Sequence, residues 1–309
     1  MKSSLSLRDA LLALAIMLVW GTNFVIIRIG LDTLPPLFFA ALRFTFVLLP
    51  AAFFLKRPQI SWGNLSLYGV AIGFGQFGLL FIAMNGMISP GLASLVIQMQ
   101  VFFSIGFSML RNGERLGPHQ LLAFALALAG MAVIAAHNGP HAGHGTTLMG
   151  LFLTLAAAAS WALANQAAKE AGAAHPGINM LAYVVWSAIF SLPPLYLLAL
   201  WHDGWPAIAA GLAHATPATW AVVLWQSVGN TMVGYGCWAY LTARYPAATI
   251  SPMSLLVPLF GFAAAWAWLG EPMEGWKIGA AALVMSGLAV NLLWPKAKGA
   301  PTGMDAPLT

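Results

Sequence analysis

The sequence predicts an all-α integral membrane protein, with ten transmembrane helices laid out as two inverted five-helix repeats. Three observations carry that prediction. Of 309 residues, 60 % are hydrophobic and 7 % charged, whereas a water-soluble domain carries roughly a quarter charged residues. Such a chain could not cover its own surface in water, so its solvent is lipid. Apolar runs of about 20 residues, the length that crosses a ~30 Å hydrocarbon layer, follow one another ten times. Particular residues also recur at a nearly constant offset between the two halves of the chain.

The runs are bounded by charge, proline or glycine. They extend from Asp9 to Gly30, Pro36 to Leu55, Leu65 to Gly86, Pro90 to Leu110 and Pro118 to His137. Five more run from Leu148 to Ala168, Gly177 to Leu200, Pro217 to Leu241, Pro246 to Leu269 and Trp276 to Trp294. The first is long for a signal-peptide core and lacks a small-x-small cleavage site, so it reads as an uncleaved helix. The stretch from His202 to Thr216 reads as an outside loop. The tail 295–309, with its Lys, Gly and Pro, reads as disordered.

The basic residues decide orientation. With both termini in the cytoplasm, Lys2, Arg8, Lys56, Arg57, Arg111, Arg115, Lys169, Arg244, Lys296 and Lys298 fall inside. Only Arg28 and Lys277 fall outside, and Arg43 lies within the second run. This asymmetry follows the positive-inside rule and predicts a multi-pass protein of the cell's inner membrane. The net charge of +5 therefore gives no reason to expect nucleic acid as a partner; the partners are the bilayer and a small solute.

The repeat is read from paired residues. Trp20 and Arg28 match Trp161 and Lys169, 141 residues on; Gly73 and Gly78 match Gly229 and Gly234, 156 on. Glu114 and Gly130 match Glu271 and Gly287, 157 on. The first repeat spans 1–139 and the second 147–294. Five is odd, so the second half inserts upside down, and inverted repeats place a binding site near the midplane between them.

On Val19-Trp20-Gly21-Thr22-Asn23-Phe24, Ala41-Leu42-Arg43-Phe44, Gly113-Glu114 and Gly270-Glu271, the chain resembles the EamA-type branch of the drug/metabolite transporter superfamily, from about Leu11 to Trp294. Within it the likeness is greatest to aromatic amino acid exporters of the YddG type. The resemblance implies a ten-span carrier that exports small metabolites, often amino acids, by alternating access. The second half departs from the pattern: Trp161-Ala162-Leu163-Ala164 stands where the first has Trp20-Gly21-Thr22-Asn23, and Arg43 has no basic counterpart near Val184. An asymmetric site is expected.

Polar and aromatic side chains near mid-span are the pathway candidates, because a polar group facing lipid is costly. They are Trp20, Asn23, Arg43, Gln76, Gln98, Gln100, Trp161, Asn165, Tyr183, Trp186, Gln226, Asn230, Tyr235 and Trp238. For each amide, an interhelical hydrogen bond competes with a solute contact. Arg43 has two readings, attraction of a solute carboxylate or bonding to carbonyls at a helix break, and the second is favoured. The mid-span tryptophans suit a flat apolar solute. Gly73, Gly78, Gly229, Gly234, Pro252 and Pro258 mark close packing or hinges. Glu114 and Glu271 read as gates or as solvated helix ends with a partner such as Arg115 or Lys277.

The eight acidic residues all lie at or beyond span ends, and no histidine lies mid-span. Proton-coupled carriers keep a titratable group in the membrane, so a facilitator is expected. No catalytic set can be assembled, which argues against a membrane-embedded enzyme. A channel-like pore would want a continuous polar stripe. Export of other amino acids, metabolites or drugs stays open. No cofactor is expected, and no metal: Cys237 is the only cysteine, and His137, His141 and His144 read as a solvated loop.

Overall fold

The computed structural model describes residues 6–112, 116–137, 146–245 and 247–294. Glu114, the loop histidines His141 and His144 and the tail from residue 295 lie outside the described residues. Among the described residues, eight helices are long and apolar enough to cross a membrane: spans 1 (Leu7–Leu31), 3 (Trp62–Met84), 4 (Pro90–Arg111), 5 (Pro118–Ala136), 6 (Leu148–Ala174), 7 (Met180–Asp203), 9 (Ser251–Leu269) and 10 (Gly275–Leu293). Span 2, Pro36–Ala52, is a shorter apolar helix. Span 8, Pro217–Thr242, follows a helix Trp205–Ala213 across a 111° bend. No β-strand forms among the described residues beyond an isolated bridge between Ile88 and Thr146.

Local sequence sets the helix starts. Spans 2, 4, 5 and 8 open on a proline in the first turn, whose missing N–H costs nothing there. Ser6, Ser61, Thr147 and Asn179 cap spans 1, 3, 6 and 7 through their side chains. One expectation is corrected. The stretch from His202 to Thr216 is not plain loop: Gly204 turns the chain at φ 80°, Pro206 starts a helix, and Trp205–Ala213 packs its Gly211 against Thr33 and Pro35.

Contacts at the span ends define two faces. The terminal face gathers the start of span 1 and end of span 8 (Tyr245 hydroxyl to Asp9, 2.6 Å), and the ends of spans 4 and 6 (Arg111 with Glu170). It also holds the start of span 5 stacked on the end of span 10 (His119 on Trp294, 5.5 Å). The far face gathers the end of span 7 on the start of span 2 (Phe38 N–H to Asp203, 2.9 Å). There too the end of span 9 meets the start of span 4, and Thr147 before span 6 donates to Met87 at 2.8 Å. Spans 1 and 6 thus start at opposite faces.

Packing obeys the repeat. Span 1 packs on spans 8 and 9 as span 6 packs on spans 3 and 4; span 2 meets span 8 as span 7 meets span 3; and 2–7, 4–9 and 5–10 pair counterparts directly. The 5–10 contact shows it at residue level. A Cβ on Gly130 would lie 3.0 Å from the Ala280 carbonyl and 2.5 Å from Val284; one on Gly287 would lie 2.6 Å from the Ala123 carbonyl and 3.2 Å from Ala127. Each partner is the other's repeat mate, and only glycine permits the approach on either side.

Irregular backbone repeats as well. Span 3 is a π-helix over Ala71–Gly78 and span 8 over Trp225–Val233; span 4 tightens to 3-10 over Ile97–Met99 and span 9 over Ser251–Leu255. Such segments are rare and recur at functional sites, because they leave carbonyls off the helical ladder. In span 9, Pro252 supplies a cause by lacking an N–H, and Pro258 lies in the regular helix beyond it.

Candidate functional site

Where these four irregular segments converge there is a cavity of about 640 Å³. Its lining includes Ser108 near the end of span 4, Gln120 at the start of span 5, Met180 at the start of span 7, Thr242 at the end of span 8 and Leu292 at the end of span 10. All of these lie towards the terminal face, so the cavity runs from mid-span to that face. This is the face that carries Arg8, Lys56, Arg57, Arg111, Lys169 and Arg244.

Ten of the sequence candidates line the cavity: Trp20, Asn23, Gln76, Gln98, Gln100, Trp161, Asn165, Asn230, Tyr235 and Trp238. On one wall Trp20 lies 5.7 Å from Tyr235 and 5.5 Å from Trp238, centroid to centroid, and its indole N–H points to the Asn230 carbonyl at 3.4 Å. Trp161, its repeat mate, lines the cavity from span 6. Gln98 donates to the Ser254 carbonyl at 3.3 Å in the 3-10 segment of span 9, and Asn165 donates to Gln100 at 3.0 Å. Each of these amides ties elements together and still presents a face to the cavity. Among the described residues, no Asp, Glu, His, Lys or Arg is part of the lining.

Four candidates stand elsewhere, Gln226 among them as a buried partner of Arg43. Tyr183 lies one layer behind the wall, its ring 4.8 Å from that of the lining residue Tyr68 and its hydroxyl donating to Asn64 at 2.7 Å. Trp186 donates its indole N–H to the Leu55 carbonyl at 2.9 Å, meeting a backbone acceptor just past the end of span 2. Arg43 is wholly buried, tying span 2 to the π segment of span 8: Nη1 donates to Gln226 at 2.8 Å and Nη2 to Thr231 at 2.9 Å. Its guanidinium stacks 3.6 Å from the ring centroid of Phe77, which does line the cavity. Tyr68, Phe77 and Ser254 were missed from the sequence. Tyr68 and Phe77 are ordinary apolar positions in a uniformly apolar helix, and the signal available for Ser254 was its proximity to Pro252.

Gly73 and Gly229 lie inside the two π segments, and Gly78 and Gly234 at their ends. A Cβ on Gly73 would lie 2.3 Å from the Ser191 Cβ, and one on Gly234 would lie 2.6 Å from the Trp20 indole nitrogen. Gly78 sits among Phe74, Leu195 and Leu37, and Gly229 against the ring of Trp225.

Glu271 is at the far face, and its solvation is corrected. The expected partner is present, with Lys277 Nζ at 3.3 Å, but Glu271 is 3 % exposed and Lys277 is fully buried. Gly270 ends span 9 in the left-handed region at φ 65°, with Glu271 N–H bonded back to Ala265 at 3.1 Å. That turn delivers the Glu271 carboxylate to the N-terminus of span 4, where it accepts from the Ser89 hydroxyl and from Gly91 N–H at 3.1 Å. The gain comes from an anion meeting the free N–H groups of a helix start.

An all-helical, multi-pass fold enclosing a cavity between two related halves defines a solute carrier of the membrane. The chain belongs to the EamA-like transporter family, whose profile matches twice, over residues 7–136 and 148–293. Among curated relatives, a probable amino-acid metabolite efflux pump of Salmonella typhimurium is 40 % identical over 290 residues, 93 % of this chain and 96 % of that one. A protein of the same description from Escherichia coli is 39 % identical, covering 95 % and 98 %. A probable terminal-alkyne amino-acid exporter of Streptantibioticus cattleyicolor is 29 % identical, covering 86 % and 88 %. A solved structure titled only as a crystal structure of a protein superposes with a TM-score of 0.59 at 20 % identity, covering 93 % of this chain and 96 % of that one, and supports the fold alone. The chain is thus a transporter of the drug/metabolite transporter superfamily, not an enzyme.

Proposed function

We propose that this carrier moves aromatic amino acids out of the cytoplasm across the inner membrane, as a facilitator, by rocking residues 1–139 against 147–294. The observation that carries the proposal is the chemistry of the cavity wall. Trp20, Trp161, Tyr235 and Trp238 offer faces for a flat apolar side chain. Asn23, Gln76, Gln98 and Asn230 offer neutral hydrogen-bonding groups to a net-neutral head. The relatives described as amino-acid metabolite efflux pumps agree with that solute class. The facilitator reading rests on the lining, which among the described residues holds no carboxylate or imidazole to carry a proton. With the basic terminal face in the cytoplasm, the cavity is in its loading state.

The test is counterflow of radiolabelled tryptophan or phenylalanine in liposomes, with and without an imposed pH gradient. Saturable exchange indifferent to the gradient is expected. Trp161→Ala is expected to raise the half-saturating concentration about tenfold, equivalent to about 1.4 kcal/mol of lost stacking and burial. Exchange that strictly requires the gradient would overturn the facilitator, and exchange of aliphatic but not aromatic amino acids would overturn the substrate assignment.

A further inference from the structure

Arg43 poses a charge problem. It keeps its proton when buried far more readily than lysine does, yet no Asp or Glu pairs with it among the described residues. Its partners, Gln226, Thr231 and the Phe77 ring, are all neutral, and its Nε has no acceptor. A second set of unmet groups is found on the cavity wall, which Phe77 separates from Arg43. Asn23, Gln76 and Asn230 are 4 %, 3 % and 4 % exposed, line the cavity, and have side-chain oxygens without any hydrogen-bond partner. In sequence, Gln76 adjoins Phe77 and Asn230 adjoins Thr231, two of the three residues that hold the guanidinium.

Both observations meet in one ligand group. A buried cation without a counter-ion makes its neighbourhood attractive to an anion and repulsive to a second cation. An Asn or Gln amide exchanges acceptor for donor by a half-turn at little cost, so the three amides can point N–H groups at an anion. We infer that Asn23, Gln76 and Asn230 form a docking point for the solute's carboxylate, with Arg43, behind the Phe77 ring, as its unseen counter-charge. Arg43 is thereby a positioning residue for specificity: it selects zwitterions and monocarboxylates and rejects amines of the same shape. The inference rests on the amino-acid reading of the cavity and sharpens it.

The experiment is a competition series against phenylalanine counterflow, using 3-phenylpropionate, which keeps only the carboxylate, and phenethylamine and phenylalaninamide, which keep only the ammonium. The carboxylate analogue is expected to compete at least tenfold better than either amine. Arg43→Met is expected to bring that ratio close to one and Arg43→Lys to retain it, whereas a purely structural arginine would lower all affinities together. Should Arg43→Met not fold by gel filtration, Gln76→Met and Asn230→Leu are read instead, and each is expected to weaken only the carboxylate-bearing ligands. Thermal stabilisation of the detergent-solubilised protein by 3-phenylpropionate against phenethylamine gives the same ratio without transport. Equal competition or equal stabilisation by acid and amine overturns the subsite and leaves the amino-acid reading standing. Failure of every amino acid to exchange, with the acid still stabilising better than the amine, overturns that reading and leaves the subsite standing.

Discussion

The far face and the terminal face are built from the same repeat but are held together differently. At the far face, carboxylates of the second half meet helix starts of the first: Glu271 on span 4, and Asp203 on the Phe38 N–H of span 2. Both carboxylates are buried, and Glu271 carries its own buried cation, Lys277. At the terminal face the ties are a hydroxyl–carboxylate bond, Tyr245 to Asp9, an aromatic–backbone bond, Trp186 to Leu55, and an ion pair, Arg111 with Glu170, whose side chains are 58 % and 35 % exposed. The ion pair is exposed at the face where the cavity opens, Arg111 with Glu170, and buried at the face where it closes, Glu271 with Lys277, although Tyr245 and Asp9 are buried at the open face as well. The lesson is that in an inverted repeat, whose helices on the two sides are nearly equivalent, the faces differ in what their carboxylates meet: helix starts of the other half at the far face, a hydroxyl and an exposed arginine at the terminal face.

That contrast can be broken in order of expected effect. Lys277→Met leaves Glu271 as a buried charge without its cation, and should cost about 3–5 kcal/mol, read as a fall in melting temperature in detergent. Adding Glu271→Gln to it should recover a large part of the loss, because the remaining groups are neutral. A double variant no more stable than the single would show that the pair is not what holds this corner. Glu271→Gln alone should loosen the far face. In a Cys237→Ala background, a cysteine placed at the cavity residue Leu80 should then be labelled several-fold faster by an impermeant maleimide from the far side; unchanged labelling would remove Glu271 from the seal. Asp203→Asn keeps an acceptor for Phe38 N–H but loses its charge, and should cost about 1 kcal/mol. Smallest of all, Glu170→Gln at the wet end should change stability by less than about 0.5 kcal/mol; a loss as large as that at Asp203 would erase the distinction between the faces.

Much of this was legible in the chain. Ten apolar runs, the orientation of charge and the pairing of Gly130 with Gly287 follow from residue type and spacing, because lipid demands long apolar helices and close helix crossings demand glycine. The Gly270–Glu271 pair was visible too, together with its partner Lys277. Its burial was not, since a helix end looks solvated until another helix start is brought against it. The cavity candidates show the same limit. Trp20 and Trp161 line the cavity, whereas Tyr183 and Trp186 do not. All four sit in helices that are apolar around most of their circumference, so no hydrophobic stripe reports which side faces inward.

The sequence by itself therefore determined the solvent, the number of crossings, the repeat and the chemical menu of the pathway: aromatics and neutral amides, with one arginine and no acid in the membrane interior. Only the tertiary structure decided which of those side chains meet, that Arg43 lies behind the wall rather than in it, and which face is shut. The reason is physical. Crossing a bilayer is a demand each helix meets alone, through its own composition, while a cavity and its seal exist only between helices.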